Sequence, residues 1–292
     1  MLQVNHLTRR YGDATALDDV SFEVRPGRMT GFVGANGAGK TTTMRIIVGV
    51  LAPTSGTVTW GGEELTTEQR RRFGYMPEER GLYPKMRLRD QLTFFGRLHG
   101  MTATQAHARA TDLLTRLGLG ERIDDVLETL SLGNQQRVQV AAALVHHPTA
   151  LILDEPFSGL DPLAVDTMVE LLSSELSPDL PVLFSSHQLE LVERLCDDLV
   201  ILSGGRVVAA GPVEALRDQE APRYRVVVAE GGVEQLRSAG LTLLSTNGSE
   251  AVVEGNGQPA DQLLDAVRRA APVSEFSRVV RPLSQIYRDV IA

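Results

Sequence analysis

The chain has 292 residues, 42% hydrophobic and 23% charged, enough apolar material for a sizeable core and for two domains of ordinary size. Its net charge of −8 argues against a dedicated nucleic-acid binder, which would be basic overall or carry a basic stripe. No run of about 18 apolar residues offers a membrane span, and the first residues lack the basic-then-apolar order of a signal peptide.

Val4 and Leu7 flank polar residues in an opening strand. Val20, Phe22 and Val24 alternate with Ser21 and Glu23 before Pro26-Gly27 turns the chain, and 29–33 is a short apolar strand ending in glycines. Residues 41–51 predict a helix with Met44, Ile47 and Val48 on one face, stopped by Pro53, and 58–60 alternate again. From Leu88 to about Leu117 the period is helical, with Ala106, Ala110, Leu113, Leu114 and Leu117 at three- and four-residue steps. A helix over 135–147 ends at Pro148. Strands at 151–153, 182–184 and 199–202 then alternate with helices over 163–176 and 188–196, and Val207-Val208 adds one more strand. Such alternation predicts an α/β fold with a parallel sheet covered by helices. The lone Cys196 can form neither an internal disulfide nor a thiolate metal site. It reads as a buried, inert thiol, which fits a reducing, cytoplasmic compartment.

A boundary is expected near Gln219, with Glu220-Ala221-Pro222 as the joint, dividing 1–218 from 219–292. The tail reads as strand 223–228, helix 233–238, strands 241–245 and 251–254, helix 259–270, strand 273–280 and helix 283–291. That order is the split βαβ, ferredoxin-like pattern plus a terminal helix. Eight arginines and eight acidic residues follow residue 220. The tail is therefore neutral, the surplus acidity belongs to the first domain, and no nucleic-acid partner is expected.

Gly34-Ala35-Asn36-Gly37-Ala38-Gly39-Lys40-Thr41, followed by Thr42, matches G-x-x-x-x-G-K-[ST] between an apolar strand and a helix. Glycines let backbone N–H groups curl around phosphate oxygens, and the helix start adds partial positive charge. Lys40 brings a full charge to the outer phosphates, and the Thr41 hydroxyl can ligate Mg²⁺. The apolar run Ala150-Leu151-Ile152-Leu153 delivers Asp154 at a strand's carboxyl end, where it can hold Mg²⁺. Glu155 next to it is placed to act as general base on water.

With these motifs in order, the sequence over about 1–215 resembles the ATP-binding subunits of ABC transporters. Leu130-Ser131-Leu132-Gly133-Asn134-Gln135-Gln136-Arg137 is similar to the family signature, with Ser131 placed 23 residues before Asp154. Ser158-Gly159-Leu160-Asp161 resembles the D-loop, and Ser185-Ser186-His187 resembles the switch-histidine segment. The resemblance implies a RecA-like core, an antiparallel β subdomain and a helical subdomain at about 85–147. It assigns adenine stacking to Tyr11 and γ-phosphate contact to His187. Ser131, Gly133, Asn134 and Asp161 would then meet the nucleotide of a second copy or a paralogue, with ATP sandwiched head to tail. Each also has a plainer reading: Tyr11 as a loop tyrosine, Ser131 as a helix cap, Asp161 as a turn residue, His187 as a cap or core histidine. Leu132 and Asn134 depart from the usual glycine and glutamine.

At the Q-loop position the chain has Pro77-Glu78 rather than Pro-Gln. Glu78 either ligates Mg²⁺ or swings out to Arg80. The segment 77–84 is similar to exporter-type subunits that pair with separate membrane proteins and carry a small C-terminal domain. The resemblance makes Leu82 and Tyr83 a docking surface for that transmembrane permease, against simple local packing. The implied location is the cytoplasmic face of the membrane, through the permease. The rival reading is a soluble ABC-type ATPase in translation or DNA repair. It lacks the paired cassettes, long coiled coils or basic insertions of that class, and a P-loop kinase would leave the signature and His187 unexplained.

Overall fold

In a computed structural model the chain is described at residues 1–79, 81–175, 177–217 and 221–291. Arg80, Gln219, Glu220 and Leu176 lie outside the described residues. So do the possible Glu78–Arg80 pair, the start of the expected joint and the last residue of one expected helix. Packing divides the chain into two units, Met1–Val213 with Val290–Ala292, and Glu214–Asp289.

The first unit opens with β1 (Leu2–Tyr11), β2 (Ala14–Val24), β3 (Met29–Val33) and α1 (Lys40–Ile47). β4 (Ser55–Trp60), β5 (Glu63–Glu64), α2 (Thr67–Arg70) and β6 (Phe73–Met76) follow. Three helices come next, α3 (Leu88–Leu98), α4 (Ala103–Arg116) and α5 (Leu132–Leu144). The chain then alternates through β7 (Ala150–Leu153), α6 (Pro162–Glu175), β8 (Val182–Ser186), α7 (Leu189–Leu195) and β9 (Asp198–Ser203). It closes with β10 (Arg206–Pro212). One sheet has the order β10-β9-β3-β8-β7-β6, parallel from β9 to β6 with β10 antiparallel at its edge. The other is antiparallel, β2-β1-β4-β5.

The fully buried β3, β7 and β8 read as apolar runs because both faces of a parallel sheet are covered. Met44, Ile46 and Ile47 of α1 share one core with Val4, Phe22 and Val58 of the antiparallel sheet and with Phe32, Ile152 and Leu183 of the parallel one. The helix that follows the glycine-rich loop is therefore held from both sides.

Helix ends depart from the sequence reading for local reasons. α1 stops at Ile47, well before Pro53. Gly49 is left-handed, its N–H bonds Ile46 O, and the Val50 N–H bonds Arg45 O. That is the Schellman stop, in which a glycine satisfies the last carbonyls. The helical stretch from 88 breaks at left-handed Gly100, and Thr102 with Gln105 forms a capping box that starts α4. α5 begins earlier than expected, at Leu132, because Ser131 caps it.

The second unit contains β11 (Arg223–Val228), α9 (Gly232–Ser238), β12 (Leu243–Asn247), β13 (Glu250–Glu254), α10 (Ala260–Ala270) and β14 (Val273–Val279), after the short α8 (Val213–Arg217). α11 (Leu283–Ile291) ends the chain's described part. The sheet order β12-β13-β11-β14, antiparallel throughout, is that of a ferredoxin-like fold. Tyr224, Val226 and Val228 alternate inward and pack with Ala251, Val253, Leu236, Leu263 and Val267. The first-unit core uses residues 2–207 and this one 224–276. Deleting residues 219–292 is expected to leave a soluble protein with ATPase activity within about threefold of the full chain, a distinction too small to report a lost core contact. Insoluble protein in that assay would make the tail part of the first core.

Candidate active site

Residues 34–41 run from the end of β3 into α1. Gly39 has φ +107, and a Cβ there would stand 2.5 Å from Leu17 Cδ2 and 2.9 Å from the Ala16 carbonyl oxygen. At Gly34 it would meet the Leu202 carbonyl oxygen at 2.5 Å. Only glycine lets the loop pass at both places. A cavity of about 260 Å³ opens over the loop, lined by Asn36, Gly37, Gly39, Lys40, Thr41 and Thr42. Ala16, Glu78, Asp154 and Glu155 complete its wall. Gly34 and Ala38 belong to the loop without lining the cavity. Lys40 is buried, and its ammonium donates to the Gly34 and Ala35 carbonyls at 2.7 and 3.3 Å.

Asp154 ends β7 at 1% exposure. Its Oδ1 accepts from the Ser185 hydroxyl at 2.6 Å, and Ser185 Oγ in turn accepts the Glu155 N–H at 2.8 Å. Asp154 Oδ2 is buried with no hydrogen-bond partner. A buried carboxylate oxygen left over, beside a threonine hydroxyl and a second carboxylate, fits a hard divalent cation. Among the described residues no cluster of three or more His, Cys, Asp or Glu could hold a metal alone.

Glu155 is left-handed, φ +53, and its Oε2 lies 2.9 Å from His187 Nδ1. The imidazole thus stands next to the carboxylate although 32 residues separate them. Ser185, Ala16 and Gln136, whose amide donates to the Glu155 carbonyl at 2.8 Å, were missing from the sequence-derived site. Ser185 and Gln136 each left a signal, as the serine two places before His187 and as a residue of the signature-like run, but neither was given a role.

Other expected residues lie apart from this cavity. Tyr11 is half exposed at the end of β1, with the Arg9 guanidinium 4.5 Å above its ring, and does not line the cavity. Ser131 caps α5, with Asn134 N–H 3.4 Å from its hydroxyl. Asp161 accepts the Ala164 N–H at 2.8 Å and so caps α6, whose first residue is Pro162. Gly133 sits against the Asp161 loop, where a Cβ would be 3.2 Å from the Gly159 carbonyl oxygen. Cys196 is at the end of α7, and burial pushes its thiol up, out of reach of ordinary thiolate chemistry.

A second cavity of about 360 Å³ is lined by Val48, Phe73, Met76, Leu82 and Phe95, with Arg70, Arg71, His99 and His146. Tyr83, half exposed, makes ring contacts with Phe94 and Phe95. His146 stacks on His99, ring centroids 3.7 Å apart, and its Nε2 lies 3.3 Å from the Phe73 carbonyl oxygen. Its Nδ1 is buried without a partner. Burial, then the neighbouring His99, lowers its pKa from 6.5 to about 4. A folded pKa below the unfolded one gives stability that is fully present above about pH 6.5 and lost as pH falls towards 4. Urea midpoints should drop over that window, and His146→Gln should flatten the drop. Equal slopes in the two proteins would dismiss His146 as its source.

The ABC transporter family matches residues 17–158. Over 217 residues the chain is 43% identical to YhaQ of Bacillus subtilis (strain 168), an uncharacterised ABC transporter ATP-binding protein, covering 74% of this chain and 73% of that protein. It is 38% identical over 223 residues to the Nod factor export ATP-binding protein I of Cupriavidus metallidurans, covering 75% and 74%. A solved structure of the ATP-binding subunit of an ABC transporter superposes with a TM-score of 0.69 at 35% identity, over 75% of this chain and 92% of that one.

Proposed function

The chain belongs to the ABC transporter family as an ATP-binding, ATP-hydrolysing subunit, and on that premise we propose that it energises an exporter by closing, on ATP, against a second copy while seated on a separate membrane protein. The observation that carries the reading is one cavity in which the glycine-rich loop, the unpartnered Asp154 oxygen and Glu155 meet, with His187 held against Glu155 from outside the lining. In this reading Gly37, Gly39 and the start of α1 hold the phosphates, and Lys40 neutralises the outer ones. Thr41, Asp154 and Glu78 hold Mg²⁺, which supplies charge neutralisation on the phosphate oxygens. Glu155 takes the proton of the attacking water. His187, protonated on Nδ1, orients that carboxylate and in the imidazolium form offers Nε2–H to the γ-phosphate.

Ser131, Gly133, Asn134 and Asp161 are absent from the lining of their own chain's cavity. That supports a head-to-tail pair in which they face the other copy's nucleotide. Tyr11, half exposed at the end of β1 and paired with Ala14, is the proposed adenine platform. No helix among the described residues is long and apolar enough to cross a membrane. The groove holding Leu82, extended by Tyr83 and Phe94, is the proposed seat of a cytoplasmic segment of the permease. On this reading the chain sits on the inner face of the membrane, with residues 219–292 as an accessory domain. Affinity purification from solubilised membranes tests this: a polytopic membrane protein should co-purify in stoichiometric amount. Recovery of ribosomes or DNA-repair complexes instead would favour the soluble ATPase.

A further inference from the structure

The strained Glu155 is held at three points. Its N–H is bonded to Ser185, its carboxylate to His187, and its carbonyl accepts two donors: the Ser158 N–H at 3.2 Å from within the same turn, and Gln136 Nε2 at 2.8 Å. Gln136 alone among these comes from a different structural layer. It stands on α5, little more than a turn after the Ser131 cap, while Gly133 of the same helix start abuts Gly159 and Leu160 beyond Glu155. One turn further on, Gln139 Nε2 lies 3.5 Å from the carbonyl oxygens of Pro77 and Glu79, on either side of Glu78. A single helix thus touches both loops that bring carboxylates to the cavity.

We propose that Gln136 is a positioning residue for the hydrolytic step, its amide fixing the Glu155 peptide in the left-handed conformation that aims the carboxylate into the cavity. A left-handed L-residue persists only where its surroundings over-determine it. The Gln136 bond supplies the one restraint that comes from outside the loop and strand ends around the cavity. Resting on the proposed head-to-tail pair, it also links the two sites. The start of α5 meets the other copy's nucleotide, and Gln136 carries any shift of that helix to the base of its own cavity. The alignment of each base then depends on occupancy of the opposite site.

Steady-state ATPase kinetics on the full chain test this. Gln136→Met keeps length and shape but removes the donor. It should lower kcat about tenfold, the order expected for losing one well-formed hydrogen bond, with KM for MgATP within about twofold and a thermal midpoint within a few degrees of the wild type. Gln136→Asn keeps the amide but is one methylene too short, so it should show the same loss and guards against a fold failure of the first variant. In a Glu155→Gln background, Gln136→Met should cause no further loss of residual turnover, because its effect runs through that side chain. Wild-type kcat in both single variants, or a full tenfold loss repeated in the Glu155→Gln background, would overturn the proposal. A Glu155→Gln protein that turns over normally would instead overturn the general-base reading itself, so the two failures are distinguishable.

Discussion

Replacing Glu155 by glutamine is expected to cut kcat for ATP hydrolysis by roughly 10²–10⁴-fold, the usual worth of a positioned general base, while ATP still binds. The side chain is mostly buried and its Oε2 meets His187 Nδ1 at 2.9 Å. Glutamine keeps the size, the backbone strain and a carbonyl oxygen that can accept from His187. It loses the negative charge and with it the capacity to take a proton. In the proposed reading the phosphates are held by the glycine-rich loop and Lys40, which this substitution leaves untouched. Slow hydrolysis with intact binding should also leave the pair closed, and size-exclusion chromatography with MgATP should show a dimer that the wild type holds only transiently. Wild-type turnover would remove Glu155 from the proton transfer.

The legible part of this site was the local part. Residues 34–41 carry their whole geometry in eight consecutive positions, because the strand, the left-handed glycines and the helix start are neighbours in sequence. Asp154 was readable for the same reason, since four apolar residues announce a buried strand and the next residue must emerge at its end. The Glu155–His187 contact was not read from the sequence, where the resemblance assigned His187 to the γ-phosphate, because adjacency of β7 and β8 is a sheet-level fact that no periodicity encodes. Ser185 and Gln136 stand in motif segments, yet their own roles were not legible: Gln136 acts through one hydrogen bond and Ser185 through two, to a segment 19 or more residues away, and a serine in a strand or a glutamine in a helix looks ordinary. Ser131 and Asp161 show a further ambiguity. Both cap helices in the fold, as the plainer reading had it for Ser131, whereas for Asp161 it had a turn residue. A cap and an anion contact draw on the same unpaired N–H groups at a helix start, so capping within one copy leaves the contact with a second copy to experiment. The tail was legible as a topology because β11 and β13 alternate strictly. Its edge strand β12, mostly exposed, carries no burial pattern to fix its register and begins two residues after the expected start.

The opposite kinetic split is expected at the other end of the triphosphate. Lys40→Ala should raise the Kd for ATP by about 10- to 100-fold, corresponding to the loss of a charge-assisted hydrogen bond of roughly 1.5–3 kcal/mol. The ammonium is held at the cavity floor by the Gly34 and Ala35 carbonyls, so it is already in place when phosphate arrives and little conformational entropy is spent on ordering it. Lys40 itself lines the cavity, so shortening it to alanine opens a path by which water can replace the ammonium at those two carbonyls. The thermal midpoint without nucleotide should therefore move by only a few degrees. Stabilisation by saturating ATP should shrink with the lost affinity, since a ligand stabilises in proportion to the logarithm of its excess over Kd. Isothermal titration and thermal melts with and without ATP read both quantities in one protein. Unchanged affinity would place the phosphates away from Lys40 and with them the reading of the glycine-rich loop. A large fall in the nucleotide-free midpoint would instead make Lys40 a structural tie of the loop, and the loss of binding would then follow from a displaced loop rather than a missing charge.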